Sequence, residues 1–451
     1  MFPSWINRQI DVTFAGMLAG CLRELMNMRL DRYLGGIAAP DLVLSKRKKQ
    51  MTLPPAYDPA TVFAPENEPA AARPRVFIAP QRYVQGEGVL DNVGRYLRLL
   101  NVQHVAILVS ARGQSSEGPR LRESLASENI ASTVCDFNGE CSLEEIGAHR
   151  DALVDRVDCL IAVGGGKCVD AGKSIAFRLG IPVVIVPTLA SNDAPCSALS
   201  VLYEPSGTYA GVEFYPQSPA LVVVDTGLVA EAPERFLVAG MGDAMATWYE
   251  ARACLTNPNG VNGVAARPTI ASYALGEACA HTLFDEGVCA SAAVRGQMVD
   301  ESLEKIVEAN TLLSGLGFES GGIAVAHGIA QSCTGLSRVK ERYLHGEMVA
   351  IGTLVQLALE SRREEVQRVA RFFVSVGLPA NLEQLSLDVA AANDMNTLIE
   401  GTMDWPYTPN MPFVVDAGMI RDALVEFDKI GTSVIGELGD ETYRRLHLDS
   451  S

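Results

Sequence analysis

The chain of 451 residues contains little of what several protein classes require. It has 6 histidines and 3 tryptophans, and its 10 cysteines include no Cys-x-x-Cys pair. The missing pairs argue against a zinc ribbon and against a disulfide framework, so we expect reduced thiols and a cytoplasmic protein. No apolar run reaches the roughly eighteen residues that a membrane-spanning helix needs, and we expect no membrane association.

A surplus of positive charge is also absent. The formal net charge is −17, with 54 acidic and 37 basic side chains, which argues against a nucleic-acid-binding groove. Hydrophobic residues make up 48% of the chain, as in ordinary globular proteins. A chain of this length predicts two or three domains with sizeable cores.

The first 74 residues differ in composition from the rest. A basic run at 46–49 precedes a stretch at 54–74 that is rich in Pro, Ala and Glu and cannot bury enough apolar surface to become ordered. We therefore predict that residues 1–74 form a poorly ordered N-terminal extension. Met51 would make a natural start, and our hypothesis is that residues 1–50 are absent from, or incidental to, the working protein.

The rest of the chain divides into two parts with different patterns. Strands are predicted at 76–79, 105–110, 132–136, 159–163, 183–186 and 221–225. Helical patterns separate several of them, and this alternation predicts a doubly wound α/β domain with a parallel sheet at 75–232. Helices dominate the second predicted domain, 233–451. They are predicted at 236–254, 268–283, 290–315, 321–334, 347–361, 363–376 and 417–426.

Two predicted strands end in loops suited to a ligand. The strand at 159–163 leads into Gly164-Gly165-Gly166-Lys167, and the strand at 183–186 into a polar loop that begins Pro187-Thr188. Ligands of parallel sheets bind beyond the carboxyl ends of the strands. Glycines admit a pyrophosphate closely, and a helix N-terminus offers free N–H groups. The turn matches neither G-x-G-x-x-G nor the P-loop, so a tight turn without a ligand is the alternative.

Three polar residues interrupt apolar helical stretches of the second predicted domain: Asp243, His327 and His345. A carboxylate or an imidazole is costly to bury without a partner. One carboxylate and two imidazoles are an ordinary ligand set for catalytic zinc, with one position left open, so a shared divalent metal would satisfy all three. The alternative is that each is hydrogen-bonded in the core or caps a helix. His447 lies in the tail and has no predicted role.

The order and spacing of these motifs resemble glycerol dehydrogenases, the zinc-dependent branch of the iron-containing alcohol dehydrogenase superfamily. The resemblance covers about residues 75–430. The matching segments are Gly164-Gly-Gly-Lys167-x-x-Asp170, Pro187-Thr188-x-Ala-Ser191-x-Asp193-Ala-Pro-Cys-Ser197, Gly242-Asp243-Ala, Gly317-Phe-Glu-Ser-Gly-Gly-Ile-Ala-x-Ala-His327 and His345-Gly-Glu-x-Val-Ala. The resemblance implies a two-domain, dehydroquinate-synthase-like fold and NAD-dependent oxidation of glycerol to dihydroxyacetone. It also implies a homo-oligomer, often an octamer.

The resemblance also implies roles for individual residues. Asp243, His327 and His345 would hold zinc and, together with Asp193, form the catalytic and substrate-binding set. Dinucleotide contacts are implied at Gly165, Gly166, Lys167, Cys168, Val169, Asp170, Thr188, Ser191, Ser197, Leu199 and Tyr203. Iron-dependent members typically carry a histidine one helical turn after the metal-binding aspartate. This chain has Thr247 there, which favours a three-ligand zinc site.

The chain departs from the family pattern at the end of the strand at 105–110. Family members often have an acidic residue there that holds the ribose hydroxyls. This chain has Ser110-Ala111-Arg112, and the gain of Arg112 predicts activity with NADP as well as NAD. Cys168 and Asn192 also stand where threonine is common.

Two other hypotheses use the same fold. A lyase or dehydrogenase acting on a phosphorylated polyol or a cyclic substrate would need basic side chains at the substrate, and the loop at 191–200 contains none. A non-catalytic binding protein would be expected to have lost one of the three metal candidates, and all three are present.

Overall fold

A six-stranded parallel sheet forms the first half of the computed structural model, which describes residues 57–65 and 69–447. The strands are β1 Tyr83–Gly86, β2 His104–Ser110, β3 Ala131–Phe137, β4 Cys159–Gly164, β5 Val183–Pro187, β6 Leu199–Tyr203, β7 Tyr209–Phe214 and β8 Leu221–Asp225. The sheet has the order β1-β8-β5-β4-β2-β3, and β6 and β7 form a separate antiparallel pair. The carboxyl ends of β4 and β5 lie side by side, because Gly164 pairs with Pro187.

Helices connect the strands and make up the second half. Those up to β8 are α1 Ala60–Phe63, α2 Val93–Tyr96, α3 Ala111–Ser115, α4 Glu117–Ser127, α5 Leu143–Leu153 and α6 Gly166–Leu179. The later helices are α7 Thr226–Glu231, α8 Glu234–Thr256, α9 Ile270–Arg295, α10 Glu301–Glu308, α11 Ser314–Gly321, α12 Val325–Cys333, α13 Ser337–Lys340, α14 His345–Leu359, α15 Arg363–Val376, α16 Ala392–Met403, α17 Ala417–Leu438 and α18 Glu441–His447. A π-helical turn, Ala309–Leu313, joins α10 to α11.

The strands are apolar throughout because helices cover both faces of the sheet. Along β2, Val105 and Ile107 pack into one core with Leu121 of α4, whereas Ala106 and Leu108 belong to the core on the opposite face. That second core continues without interruption into the helical half. The predicted fold class, a parallel α/β part followed by a helical part, is confirmed.

Two predicted elements are wrong. Residues 76–79 form no sheet strand. Instead Val76 donates its backbone N–H to the carbonyl of Arg267, and Ile78 donates to the hydroxyl of Ser320. The predicted helix 290–315 is interrupted after α9, and the side chain of Asp300 caps the start of α10. The antiparallel pair β6–β7 and the helices α5, α16 and α18 were not predicted.

Part of the predicted extension is described. It contains α1, and Arg73 donates to the carbonyl of Ala265 in the helical half. The hypothesis about residues 1–50 lies outside the described residues. The domain boundary between 232 and 233 stays a prediction. None of the described helices is both long and apolar enough to cross a membrane, and every described cysteine is a free thiol.

Candidate active site

Asp243 lies in the middle of α8, and its side chain is 1% exposed. Neither of its carboxylate oxygens has a hydrogen-bond partner within residues 57–65 and 69–447. A buried carboxylate with two free oxygens is costly unless a positive charge compensates for it. The position therefore suits a ligand to a cation.

His327 lies on α12 and faces Asp243, with 3.6 Å between its Nε2 and Asp243 Oδ1. Its other ring nitrogen, Nδ1, is 2.6 Å from Glu250 Oε2. The second oxygen of Glu250 accepts the backbone N–H groups of Ala324 and His327, at 2.7 and 3.0 Å. A carboxylate on the far nitrogen is the usual way to orient a metal-binding histidine.

Glu250 was not predicted as a site residue, although the sequence contains a signal for it. It lies seven residues after Asp243, which places both carboxylates on the same face of α8, two turns apart. Burial lowers the pKa of the His327 imidazole, but Glu250 and then Asp243 outweigh burial, so the pKa lies well above its ordinary value.

His345 is the first residue of α14, with its Nε2 3.4 Å from Asp243 Oδ1. Two glycines allow α8 and α14 to approach this closely. A Cβ on Gly346 would lie 1.8 Å from the carbonyl oxygen of Ala239, and one on Gly242 would lie 2.3 Å from that of Gly346. Because these glycines adjoin the two candidate ligands, the close helix contact brings Asp243 and His345 together.

One ligand atom from each of Asp243, His327 and His345 lies within 4.8 Å of the other two. Burial raises the pKa of the Asp243 carboxyl, but the imidazoles, His345 first, outweigh burial and hold the pKa below its usual range. An ionised carboxylate without hydrogen bonds beside two imidazoles fits a divalent metal.

Asp193 lies close to this triad and is hydrogen-bonded to a residue of the helical half. Its Oδ2 accepts a hydrogen bond from the Ser314 hydroxyl at 3.0 Å, and Ser314 Oγ lies 2.8 Å from the Thr247 hydroxyl. Burial raises the pKa of Asp193 well above its usual range, and the charge of Asp243 raises it further. Thr247 is therefore engaged with Ser314.

The strand-end loops lie beside each other, as predicted for a parallel sheet. Thr188 donates its backbone N–H to the carbonyl of Gly164 at 3.1 Å. Gly165 caps the N-terminus of α6, so the glycine turn opens directly onto a helix end. Lys167 and Tyr203 meet there, with the ammonium 5.2 Å from the ring centroid. Thr188 and Ser191 are half-buried in the neighbouring loop.

Other residues implied as cofactor contacts point inward and meet at Lys173. The ammonium of this lysine is 2.9 Å from Asp170 Oδ1 and donates to the Ser197 hydroxyl at 3.1 Å and to the carbonyl of Leu199 at 2.5 Å. Its side chain is 2% exposed. Lys173 was given no role from the sequence, yet it fixes the loop that follows Asp193.

Cys168 and Val169 are buried within α6. The Cys168 sulfur lies 3.4 Å from the carbonyl of Val163, and burial raises the pKa of its thiol to about 12. Arg112, by contrast, is exposed on α3, which follows the end of β2 directly. Strand β2 is the neighbour of β4, so Arg112 lies at the same sheet edge as the glycine turn.

Comparisons with known proteins agree with this architecture. The profile of the family "Iron-containing alcohol dehydrogenase" matches residues 80–226. The chain is 41% identical over 358 residues to glycerol dehydrogenase from Thermotoga maritima, which covers 78% of this chain and 97% of that protein. It is 39% identical over 362 residues to glycolaldehyde reductase from Halobacterium salinarum, which covers 80% and 98%. The crystal structure of glycerol dehydrogenase from Schizosaccharomyces pombe matches with a TM-score of 0.77 at 34% identity, over 81% of this chain and 93% of that one.

The chain therefore belongs to the iron-containing alcohol dehydrogenase family. Within that family, relatives named glycerol dehydrogenase match it at 36–41% identity. The resemblance inferred from the motifs is confirmed.

Proposed function

We propose that this chain is an NAD-dependent glycerol dehydrogenase that converts glycerol and NAD⁺ into dihydroxyacetone, NADH and a proton. The observation that carries the proposal is the pair of unpartnered oxygens of Asp243, which faces His327 and His345. The identity to glycerol dehydrogenases over most of the chain supports the same activity.

We propose zinc as the ion held by Asp243, His327 and His345. When bound, it would supply the Lewis acidity that lowers the pKa of a substrate hydroxyl. The residue one turn after Asp243 is Thr247, which is hydrogen-bonded to Ser314, so a three-ligand set with an open position is supported. Glu250 keeps the ring of His327 turned toward Asp243, and Asp193 would bind a substrate hydroxyl.

The loops after β4 and β5 would bind the dinucleotide. Gly165 and Gly166 would present the helix end to the pyrophosphate, and Lys167, Thr188, Ser191 and Tyr203 would contact the dinucleotide around it. The inward-facing residues Asp170, Ser197 and Leu199 would act by fixing the loop through Lys173. The nicotinamide would supply the hydride acceptor.

The exposed guanidinium of Arg112 supports the proposal that NADP is also accepted. Ratios of kcat/KM for NAD and NADP test this on wild type and Arg112→Asp. We expect the variant to lose NADP activity about tenfold or more while it keeps NAD activity. A wild-type ratio that strongly favours NAD would defeat the proposal.

Reduction of glycolaldehyde is a second candidate, because glycolaldehyde reductase from Halobacterium salinarum is 39% identical to this chain. The reaction would use the same metal and cofactor in the opposite direction. A lyase or a dehydrogenase of phosphorylated substrates is not favoured, since the loop at 191–200 lacks basic residues and the nearby Lys173 is buried and paired.

The test combines metal analysis with turnover on wild type, His327→Ala and the control His281→Ala. His281 is an exposed histidine on α9 that contacts Trp248. We expect stoichiometric metal and NAD reduction with glycerol or 1,2-propanediol in wild type and control, and loss of both in His327→Ala. The rate of NADH oxidation with glycolaldehyde, compared with the rate of NAD reduction with glycerol, shows which of the two candidate reactions is faster. Equal metal content and turnover in His327→Ala would remove the proposed mechanism.

We further propose that the chain acts as a cytoplasmic homo-oligomer, as the family resemblance implies. Light scattering of the purified protein tests the assembly: a monomer at working concentrations would contradict it.

A further inference from the structure

The two histidines of the proposed metal site are held in different ways. The ring of His327 is fixed by a 2.6 Å contact with Glu250 and is 12% exposed. The ring of His345 is 51% exposed, and no hydrogen bond to it is present among the described residues. Its place therefore depends on where the backbone puts the first turn of α14.

That first turn is fixed through Glu347. This carboxylate, 1% exposed, accepts the backbone N–H of Leu344 at 2.8 Å and two hydrogen bonds from Arg235, at 2.7 and 2.8 Å. Arg235 lies in the first turn of α8, two turns before Asp243. The bidentate pair joins the two helices that carry Asp243 and His345.

The last described helix, α18, completes this arrangement. His447 places Nε2 2.9 Å from Glu347 Oε1 and is 2% exposed. Its other nitrogen lies 2.8 Å from the carbonyl of Tyr443, whose ring stacks on the imidazole at 4.1 Å. Two residues earlier, Arg445 donates to both carboxylate oxygens of Glu234, the first residue of α8.

We propose that α18 positions His345 for metal binding. His447 of α18 is the positioning residue that fixes the start of α14, and Arg445 of α18 fixes the start of α8. The inference rests on the proposed metal site. One short helix contacts the starts of α8 and α14, which carry Asp243 and His345, through charge-assisted hydrogen bonds, which are the strong ones. The exposed ligand, which has no hydrogen bond of its own, needs that frame most.

The test measures release of zinc to an excess of a chromogenic chelator from His447→Ala, Arg445→Ala and wild type. Arg444→Ala is the matched control, because this neighbouring side chain is 62% exposed and pairs with Asp440. We expect release about tenfold faster in His447→Ala and Arg445→Ala, the size of effect typical for groups that orient metal ligands, and a wild-type rate in the control. His447→Gln keeps one N–H donor and should recover part of the loss.

A second readout separates positioning from folding. The melting temperature of each metal-free variant reports the structural contribution of α18 alone. Wild-type zinc release together with a lower melting temperature in both alanine variants would overturn the inference. If His447→Ala does not fold, His447→Gln and Arg445→Ala carry the test. Wild-type protein that binds no zinc would instead overturn the proposed function, and this inference with it.

Discussion

Buried charges at the strand ends and in the helical site are partnered differently. Lys173 has Asp170 at 2.9 Å and the carbonyls of Ala194 and Leu199 at 2.8 and 2.5 Å. Among the described residues Asp243 accepts no hydrogen bond, and two imidazoles face it. The first arrangement pairs opposite charges within the protein and stabilises a loop, whereas the second leaves both carboxylate oxygens open to a cation. Lys173 and Asp170 therefore shape the site, whereas Asp243 is available to bind a metal ion.

Replacing the open carboxylate should have the largest effect. Asp243→Asn removes the charge that the metal needs, and we expect loss of bound zinc and a fall in kcat/KM of about 10³-fold, since metal charge stabilisation is worth several kcal/mol. Added zinc should raise the melting temperature of wild type but not of the variant, because only a protein that binds the ion is stabilised by it. Full metal content in Asp243→Asn would show that the carboxylate is not a ligand.

Removing the charge of Lys173 should lower the stability of the fold more than it lowers the catalytic rate. Lys173→Met leaves Asp170 buried without its partner, which costs about 3–5 kcal/mol in the free energy of unfolding. The control Lys167→Met lies on the same helix, but its side chain is 49% exposed and pairs with Glu140, so we expect a loss below about 1 kcal/mol. Denaturant titration of the metal-free proteins measures both. Equal losses would contradict the contrast between the two lysines.

Glu250→Gln tests whether the charge of Glu250 orients His327 toward the metal. The amide keeps the size of the side chain but loses the charge that orients His327, so we expect zinc affinity to fall about 10–100-fold. Competition with a chelator measures the affinity. Glu365→Gln is the control, since that carboxylate pairs with Arg252 and is 30% exposed; its affinity should stay at the wild-type value. An unchanged affinity in Glu250→Gln would mean that packing alone orients the imidazole.

The spacing of apolar residues and the positions of glycine and proline were enough to predict the parallel sheet and most long helices, because apolar residues recur at different intervals in strands and in amphipathic helices. They failed at 76–79, where a β-branched segment bonds to Arg267 and Ser320, groups far away in sequence. In the site, Asp243, His327 and His345 stood out as polar residues in apolar surroundings. Glu250 had a spacing signal, seven residues after Asp243, that was not used, whereas the role of His447 depends on a contact that only the folded chain creates.

The last expected effect is a pH dependence and concerns Glu319, a buried carboxyl that accepts the backbone N–H of Ala198 at 2.8 Å, next to the loop held by Lys173. Burial raises its pKa from 4.5 to about 7. The folded state therefore keeps its proton where the unfolded chain loses it, so its contribution to stability is present below pH 4.5 and lost as pH rises to about 7. The shift corresponds to about 3 kcal/mol.

Glu319→Gln stays neutral and retains an acceptor for Ala198. We expect the variant to exceed wild type in free energy of unfolding by a margin that grows between pH 5 and pH 8, measured on metal-free protein by denaturant titration. Glu301→Gln, whose side chain is 82% exposed, should follow the wild-type curve. A margin that is independent of pH would mean that Glu319 ionises in the folded state as readily as in the unfolded chain.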